Sequence, residues 1–296
     1  MLISDTTEPL SAPLLGPDEP GAFEILNEGG RAKCILVCDH AANLVPQKLN
    51  NLGLEPDDFQ NHYAWDIGVD AITRRLSKLL DAPAIFGTYS RLVVDLNRHL
   101  DHPTAFVTSG EGRAVPGNVA MSEGEKTLRV NELYEPFHNK LSAMIDGYVS
   151  QGTHPAIIAI HSFTPTFFQQ QRPWEIGVLW VQDSRLPAPI MQHFRDKDFT
   201  VGDNEPYDAR IMRGTTVNYH ADARGLPNAL IEVRNDLIDT DEKAHEWADM
   251  LSHSIAPLLE DEALFTAYEG PQIMHSPEME QEYFDRLIQK AKQGDL

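Results

Sequence analysis

Pro155-Ala156-Ile157-Ile158-Ala159-Ile160-His161-Ser162-Phe163 is an apolar run that stops at a histidine. A short, β-branched run bounded by proline reads as a strand buried on both faces, the kind that fills parallel sheets. The C-terminal edge of such a sheet is where α/β proteins gather their chemistry. Ala32 to Cys38, followed by Asp39-His40, repeats the pattern. Two strands are therefore expected to deliver two imidazoles, His161 and His40, to one sheet edge.

The flanking sequence supplies the helices and strands that such a sheet needs. Ile67, Ala71, Leu76, Leu79 and Leu80 fall at helical spacing and predict a helix ending near residue 80. Ala84 to Thr88 reads as a strand, and the apolar residues between Arg91 and Arg98 read as another. Ser122 and Glu125 form a capping-box pattern that opens a helix to about residue 151, with Pro136 breaking it. Strands at 176–180, near 200–201 and at 229–234 alternate with helices at 187–196 and 241–259. This order predicts an α/β fold with a mixed, largely parallel central sheet flanked by helices. Residues 1–20 read as a flexible arm, 21–265 as a single α/β hydrolase domain and 266–296 as a C-terminal helical tail.

Composition limits the function. A chain of 296 residues with 42% apolar content can bury one large core. Its formal charge of -21 argues against nucleic acid or an anionic membrane surface as the main partner. No apolar run reaches the length of about 18 residues that a membrane span needs. The acidic, proline-rich start has no signal-peptide character, so a cytoplasmic location is expected. Cys34 and Cys38, four apart on one strand, lie roughly 13 Å from each other, too far for a disulfide, and read as core residues.

The polar residues that interrupt this apolar pattern point to hydrolysis. A catalytic zinc takes three N/O ligands and keeps a position open for water, and His40, Asp66 and His161 would supply them. His62 and Asp66, four apart, fit either metal chelation or an ordinary helical pair. Glu232 interrupts an apolar strand, and a buried carboxylate needs a partner or a task. As a separate glutamate it would take a proton from water, while an arginine such as Arg91 stabilises the oxyanion. Arg91 and Arg98 call for anionic partners, either Asp95 and other carboxylates or a substrate. Ser162 lacks the glycine-flanked turn of a hydrolase nucleophile, and His138 reads as a surface or packing residue of its helix.

Five strings carry a resemblance: Val37 to Asn43, His62 to Gly68, Ser90 to Arg98, His161 to Pro165, and Gly225-Leu226-Pro227 before Ile231-Glu232-Val233-Arg234. Together, over about residues 30 to 255, they resemble the N-formylglutamate amidohydrolase family. The resemblance implies a zinc carboxypeptidase-like (phosphorylase/hydrolase-like) fold. It implies zinc on His40 and His161, Glu232 as general base, Asn97 and Arg98 as a clamp for a substrate carboxylate, and Arg91 as oxyanion or carboxylate partner. It also makes His220 site-facing, while Arg172 and Arg234 either add positive charge to the pocket or pair with the protein's own carboxylates. Carboxypeptidases carry a glutamate ligand three residues after the first histidine, where this chain has Asn43. Asp66 is taken in its place, with Asn43 in reserve. The implied activity is metal-dependent hydrolysis of a linear amide C–N bond in N-formyl-L-glutamate or a similar small anionic N-acyl amino acid. Another N-acyl amino acid or small peptide as substrate, or metal or ligand binding without catalysis, are the alternatives.

Overall fold

The computed structural model describes residues 13–293, except 111, 120, 168, 169, 213, 274 and 275. Seven strands form its central sheet: β1 (Phe23–Leu26), β2 (Cys34–Cys38), β3 (Ala84–Gly87), β4 (Ala156–Phe163), β5 (Ile176–Leu179), β6 (Val201–Asp203) and β7 (Asn228–Arg234). Their spatial order is β1-β3-β2-β4-β7-β5-β6. β3, β2, β4 and β7 run parallel, β1 is antiparallel to β3, and β5 is antiparallel to β7 with β6 parallel to it. The sheet is thus mixed and mostly parallel, as the strand pattern predicts. Around it lie α1 (Val69–Leu80), α2 (Glu123–Arg129), α3 (Glu135–Val149), α4 (Pro187–Arg195), α5 (Thr216–His220), α6 (Asp241–Leu259) and α7 (Pro277–Gln293).

Every residue of β2 and β4 is buried, because helices cover both faces. Alternation sends Cys34, Leu36, Ile158 and Ile160 into one apolar cluster with Ile72 and Leu76 of α1 and Trp247 and Leu251 of α6. It sends Ile35, Val37, Ile157 and Ala159 to the other face, against Phe137, Leu141 and Ile145 of α3. Each such side chain contributes roughly 1.5–3 kcal/mol on burial, so the period-two pattern fixes the strand register. Both cysteines are free and buried.

The structure departs from the sequence-based expectations at five places. β1 is a strand that the sequence reading does not contain. Residues 91–98 are consecutive turns rather than a strand. β3 already has β1 and β2 on its two edges, so the run after it cannot fold back to pair with the strand it follows. Leu92, Val93 and Val94 are instead buried in a third cluster with Leu52, Phe59 and Leu133. Residues 62–66 are turns, and the helix begins only at Val69, after Gly68. There φ is +84° and a Cβ would meet the Ile238 carbonyl oxygen at 2.2 Å, so the close approach demands glycine. The long helix is divided by a π-helical turn, Val130–Tyr134, with Pro136 in the first turn of α3, where its missing N–H does no harm. The expected capping box of Ser122 and Glu125 does form. Finally, Leu14 and Leu15 of the expected arm pack against the domain. Leu14 is buried, and the N–H groups of Leu14 and Leu15 donate to the Glu132 carboxylate at 2.7 and 3.0 Å. Residues 1–12 of that arm lie outside the described residues.

Candidate active site

Between β2 and β4 the sheet order reverses direction, one strand leading back to β3 and the other on to β7, and ligands in α/β sheets bind at such switch points. The last paired residues of β2 and β4 are Val37 and Ala159. Beyond them the chains diverge, and Asp39-His40 leaves the end of β2 beside His161, which runs on in β4 opposite Glu232 of β7. The two expected imidazoles do meet, with ring centroids 5.0 Å apart.

Carboxylates orient both rings. His40 Nε2 lies 2.7 Å from Asp95 Oδ1, and His161 Nδ1 lies 2.9 Å from Asp66 Oδ2. The opposite nitrogens, His40 Nδ1 and His161 Nε2, are buried and make no hydrogen bond, and neither does Asp39 Oδ1. Asp39 Oδ1 stands 3.0 Å from His161 Nε2, at ion-pair distance but off hydrogen-bond alignment. Asp39 Oδ2 accepts a hydrogen bond from Thr216 Oγ1. Asp39, His40 and His161 each offer one ligand atom, all within 4.8 Å of one another. Two imidazole nitrogens and one carboxylate oxygen, with other ring atoms tied to carboxylates, fit the donor set of a zinc-like divalent cation.

The charges tell the same story. His161 is pushed well above its ordinary pKa: burial opposes protonation, but Asp39 and Asp66 outweigh it. In His40 burial and Arg91 lower the pKa, and Asp95, Asp66 and Asp39 raise it further than that. Asp39, Asp66 and Asp95 stay well below the carboxylate range despite burial, because His161, His40 and Arg91 face them. Without metal the aspartates therefore favour the protonated form of both rings. Glu232 behaves in the opposite way. Burial, reinforced by Asp66, pushes it up to about 7 against His161, Arg172 and Arg91, and its Oε2 has no hydrogen-bond partner. Burial brings His62 down to about 4, so this imidazole at the cavity wall is neutral at pH 7.

The arginines divide into three groups. Arg91 grips Asp95 Oδ2 through Nε and Nη2 at 3.2 and 2.9 Å and reaches Asp66 Oδ1 at 3.4 Å, so the carboxylates that hold the rings also satisfy it. Asn97 and Arg98 line the cavity, with Asn97 Oδ1 held by the Thr216 N–H at 2.7 Å and Arg98 Nε buried without a partner. Arg172 is buried behind them, packed on Phe163, Phe167 and Tyr207 and donating to Tyr207 Oη at 3.2 Å.

Four expected residues do not line the cavity, Arg172 and the three that follow. Arg234 turns to Asp236 and to the carbonyl oxygens of Arg172 and Trp174. His220, expected at the site or on a solvent-facing loop, is fully buried on α5 and stacks at 5.1 Å on His138 of α3. Asn43 Nδ2 donates to the Phe59 carbonyl oxygen at 2.7 Å. Asp66 does face the cavity, where its carboxylate accepts from His161 Nδ1 and from the Ser162 N–H.

Residues 32–239 match the family model described as N-formylglutamate amidohydrolase. The chain belongs to the N-formylglutamate amidohydrolase family. A crystal structure of a gene product of Agrobacterium tumefaciens is similar to it, with 34% identity and a TM-score of 0.80 over 83% of this chain and 98% of that one. A crystal structure of N-formylglutamate amidohydrolase from Ralstonia eutropha JMP134 shares the fold at 19% identity, with a TM-score of 0.61 over 82% of this chain and 99% of that one. No curated protein matches the chain significantly. Membership in the N-formylglutamate amidohydrolase family supports hydrolysis as the chemistry.

Within this candidate site, the sequence reading leaves out Asp39 and Thr216. Asp39 was hidden by alternation, which sends consecutive strand residues to opposite faces. The chain leaves β2 at Cys38, so Asp39 and His40 both turn inward. An Asp-His doublet directly after a buried strand was the available signal. Thr216 gave none, since its contact with Asp39 spans 177 residues.

Proposed function

We propose that the protein is a metal-dependent amidohydrolase that removes the formyl group from N-formyl-L-glutamate or a closely similar acidic N-acyl amino acid. Asp39, His40 and His161 hold one divalent ion, zinc by its preference for this N/N/O set. Asp66, expected as a ligand, acts instead as the orienting partner of His161, and Asp95 does the same for His40. When bound, such an ion lowers the pKa of water and polarises a carbonyl.

Glu232 supplies the base. Its raised pKa and free Oε2 let it accept a proton from water near neutrality and return that proton to the departing amine nitrogen. Asn97 and Arg98 bind a substrate carboxylate at the cavity wall, and buried Arg172 adds positive charge behind Tyr207. Arg91 acts through Asp95, which it holds ionised, and reaches Asp66 Oδ1 at 3.4 Å.

The convergence of three unpartnered buried ligand atoms opposite an unpartnered buried glutamate carries this reading. Zinc-loaded protein should release formate from N-formyl-L-glutamate, and Glu232→Gln should retain the metal but lose about 10²–10⁴ in kcat. Equal formate release by the two proteins would remove Glu232 from the chemistry, and no release by either would remove the substrate.

A further inference from the structure

The cavity has one apolar side, and its position relative to Glu232 bears on which acyl group fits. Leu230 and Glu232 are two apart on β7, so their side chains share a sheet face roughly 7 Å apart. In the register of β7 with β5, Leu179 stands opposite Leu230, and Gly177 stands opposite Glu232. Gly177 has no freedom to change, because a Cβ there would meet the Glu205 carbonyl oxygen at 1.9 Å. Leu179, Leu230 and Met212 all line the cavity and are at most 5% exposed. The space open to water-sized molecules is only about 50 Å³.

We propose that Leu179, Met212 and Leu230 form an acyl-size sieve that admits a formyl group and excludes acetyl and longer chains. The proposal rests on the amidohydrolase reading above. The reacting carbonyl carbon must lie within reach of a water held by Glu232. The amino acid's carboxylates are drawn to Arg98 and the positive charge around it, since a carboxylate set against leucine loses its hydration without recompense. The remaining substituent of the carbonyl carbon then faces Leu230, one side-chain step along the same strand. A formyl group places only hydrogen there. A methyl group must displace buried, close-packed side chains, which yield little.

The test is kcat/KM for N-formyl-, N-acetyl- and N-propionyl-L-glutamate, measured on zinc-loaded wild type, Leu230→Val, Leu230→Ala and Met212→Ala. One added methyl group in such a pocket is worth about 10–200-fold. Wild type should prefer formyl over acetyl by at least about tenfold, and the variants should narrow that preference through a rise in the acetyl value. Thermal melts establish that each variant is folded, with Leu230→Val the mildest change. An unchanged formyl-to-acetyl ratio in every folded variant overturns the sieve alone. So does a shift in preference between N-formylglutamate and N-formylaspartate at a constant acyl ratio, which would set the leucines against the amino-acid side chain. No turnover of any N-acylglutamate by wild type overturns the activity reading and the sieve with it.

Discussion

Asp95 pairs with His40 Nε2, and Asp66 Oδ2 pairs with His161 Nδ1 while standing 3.4 Å from His40 Nδ1, which leaves His161 Nε2 beside Asp39. Orienting carboxylates of this kind typically carry 10–100-fold in metal affinity. Asp66→Asn and Asp95→Asn should therefore weaken zinc binding by about that factor, read by competition with a chromophoric chelator. Because the carboxylates favour the protonated form of both rings in the metal-free site, zinc uptake should release protons. Affinity should fall as pH drops, with proton release visible by calorimetry in buffers of different ionisation enthalpy. The base adds its own pH dependence. Glu232 must be ionised to accept a proton, so activity rises with pH through its pKa. A cation beside Glu232 lowers that pKa, and the acid limb of kcat/KM should lie at or below about 7. At this scale both histidines and Glu232 were legible in the sequence, because each is a polar residue that breaks an apolar strand. The proposed choice of Asp39 over Asp66 as third ligand was not, since it depends on which oxygen lacks a hydrogen bond after folding.

The turns at 91–98 carry Arg91, Asp95, Asn97 and Arg98 to the site, and α2 fastens them. Arg129 is 1% exposed, donates to the carbonyl oxygens of Val93 and Gly117 and to Asn118 Oδ1, and is brought down to about 10 by burial. Arg129→Met removes a desolvated cation but leaves those buried oxygens unpaired, each worth about 1–3 kcal/mol. The net loss should be about 1–3 kcal/mol in urea unfolding, with KM for the anionic substrate raised more than kcat is lowered. A variant as stable as wild type would mean that the turns hold their shape without Arg129. The sequence showed an apolar run between two arginines, and apolar burial looks the same in a strand and in turns packed under a helix. Only the full edges of β3 decide between them. The other six sheet strands were legible but β1 was not, its residues being only partly buried at the sheet's edge, and α1, α4 and α6 were legible to within a few residues, because their apolar stripes follow from which face meets the sheet.

Across the whole molecule, the buried pair His138 and His220, stacked between α3 and α5, opposes the titratable groups at the sheet edge. Burial brings His138 down to about 4 and His220 to about 3, below an unfolded value near 6.5. The unfolded chain thus binds more protons between pH 6.5 and those values. The pair's contribution is complete above about pH 6.5 and is lost as pH falls. His40 and His161 have the opposite sign in the metal-free protein: their contribution is present below about 6.5 and is lost as pH rises through their raised values. Glu232 also opposes the buried pair, since its raised pKa makes stability fall as pH rises from about 4.5 to about 7. Metal-free wild type should lose on the order of a few kcal/mol more than His138→Gln/His220→Gln between pH 6.5 and 4, measured by urea unfolding. Parallel pH profiles would show that the two histidines titrate normally.

The most direct test of the account is anomalous scattering at the zinc edge from crystals of zinc-loaded protein. It should show one ion touching Asp39 Oδ1, His40 Nδ1 and His161 Nε2, with Asp66 and Asp95 on the far nitrogens of the two rings. An ion on Asp66 in place of Asp39, or no bound ion in protein that hydrolyses N-formylglutamate, would contradict it.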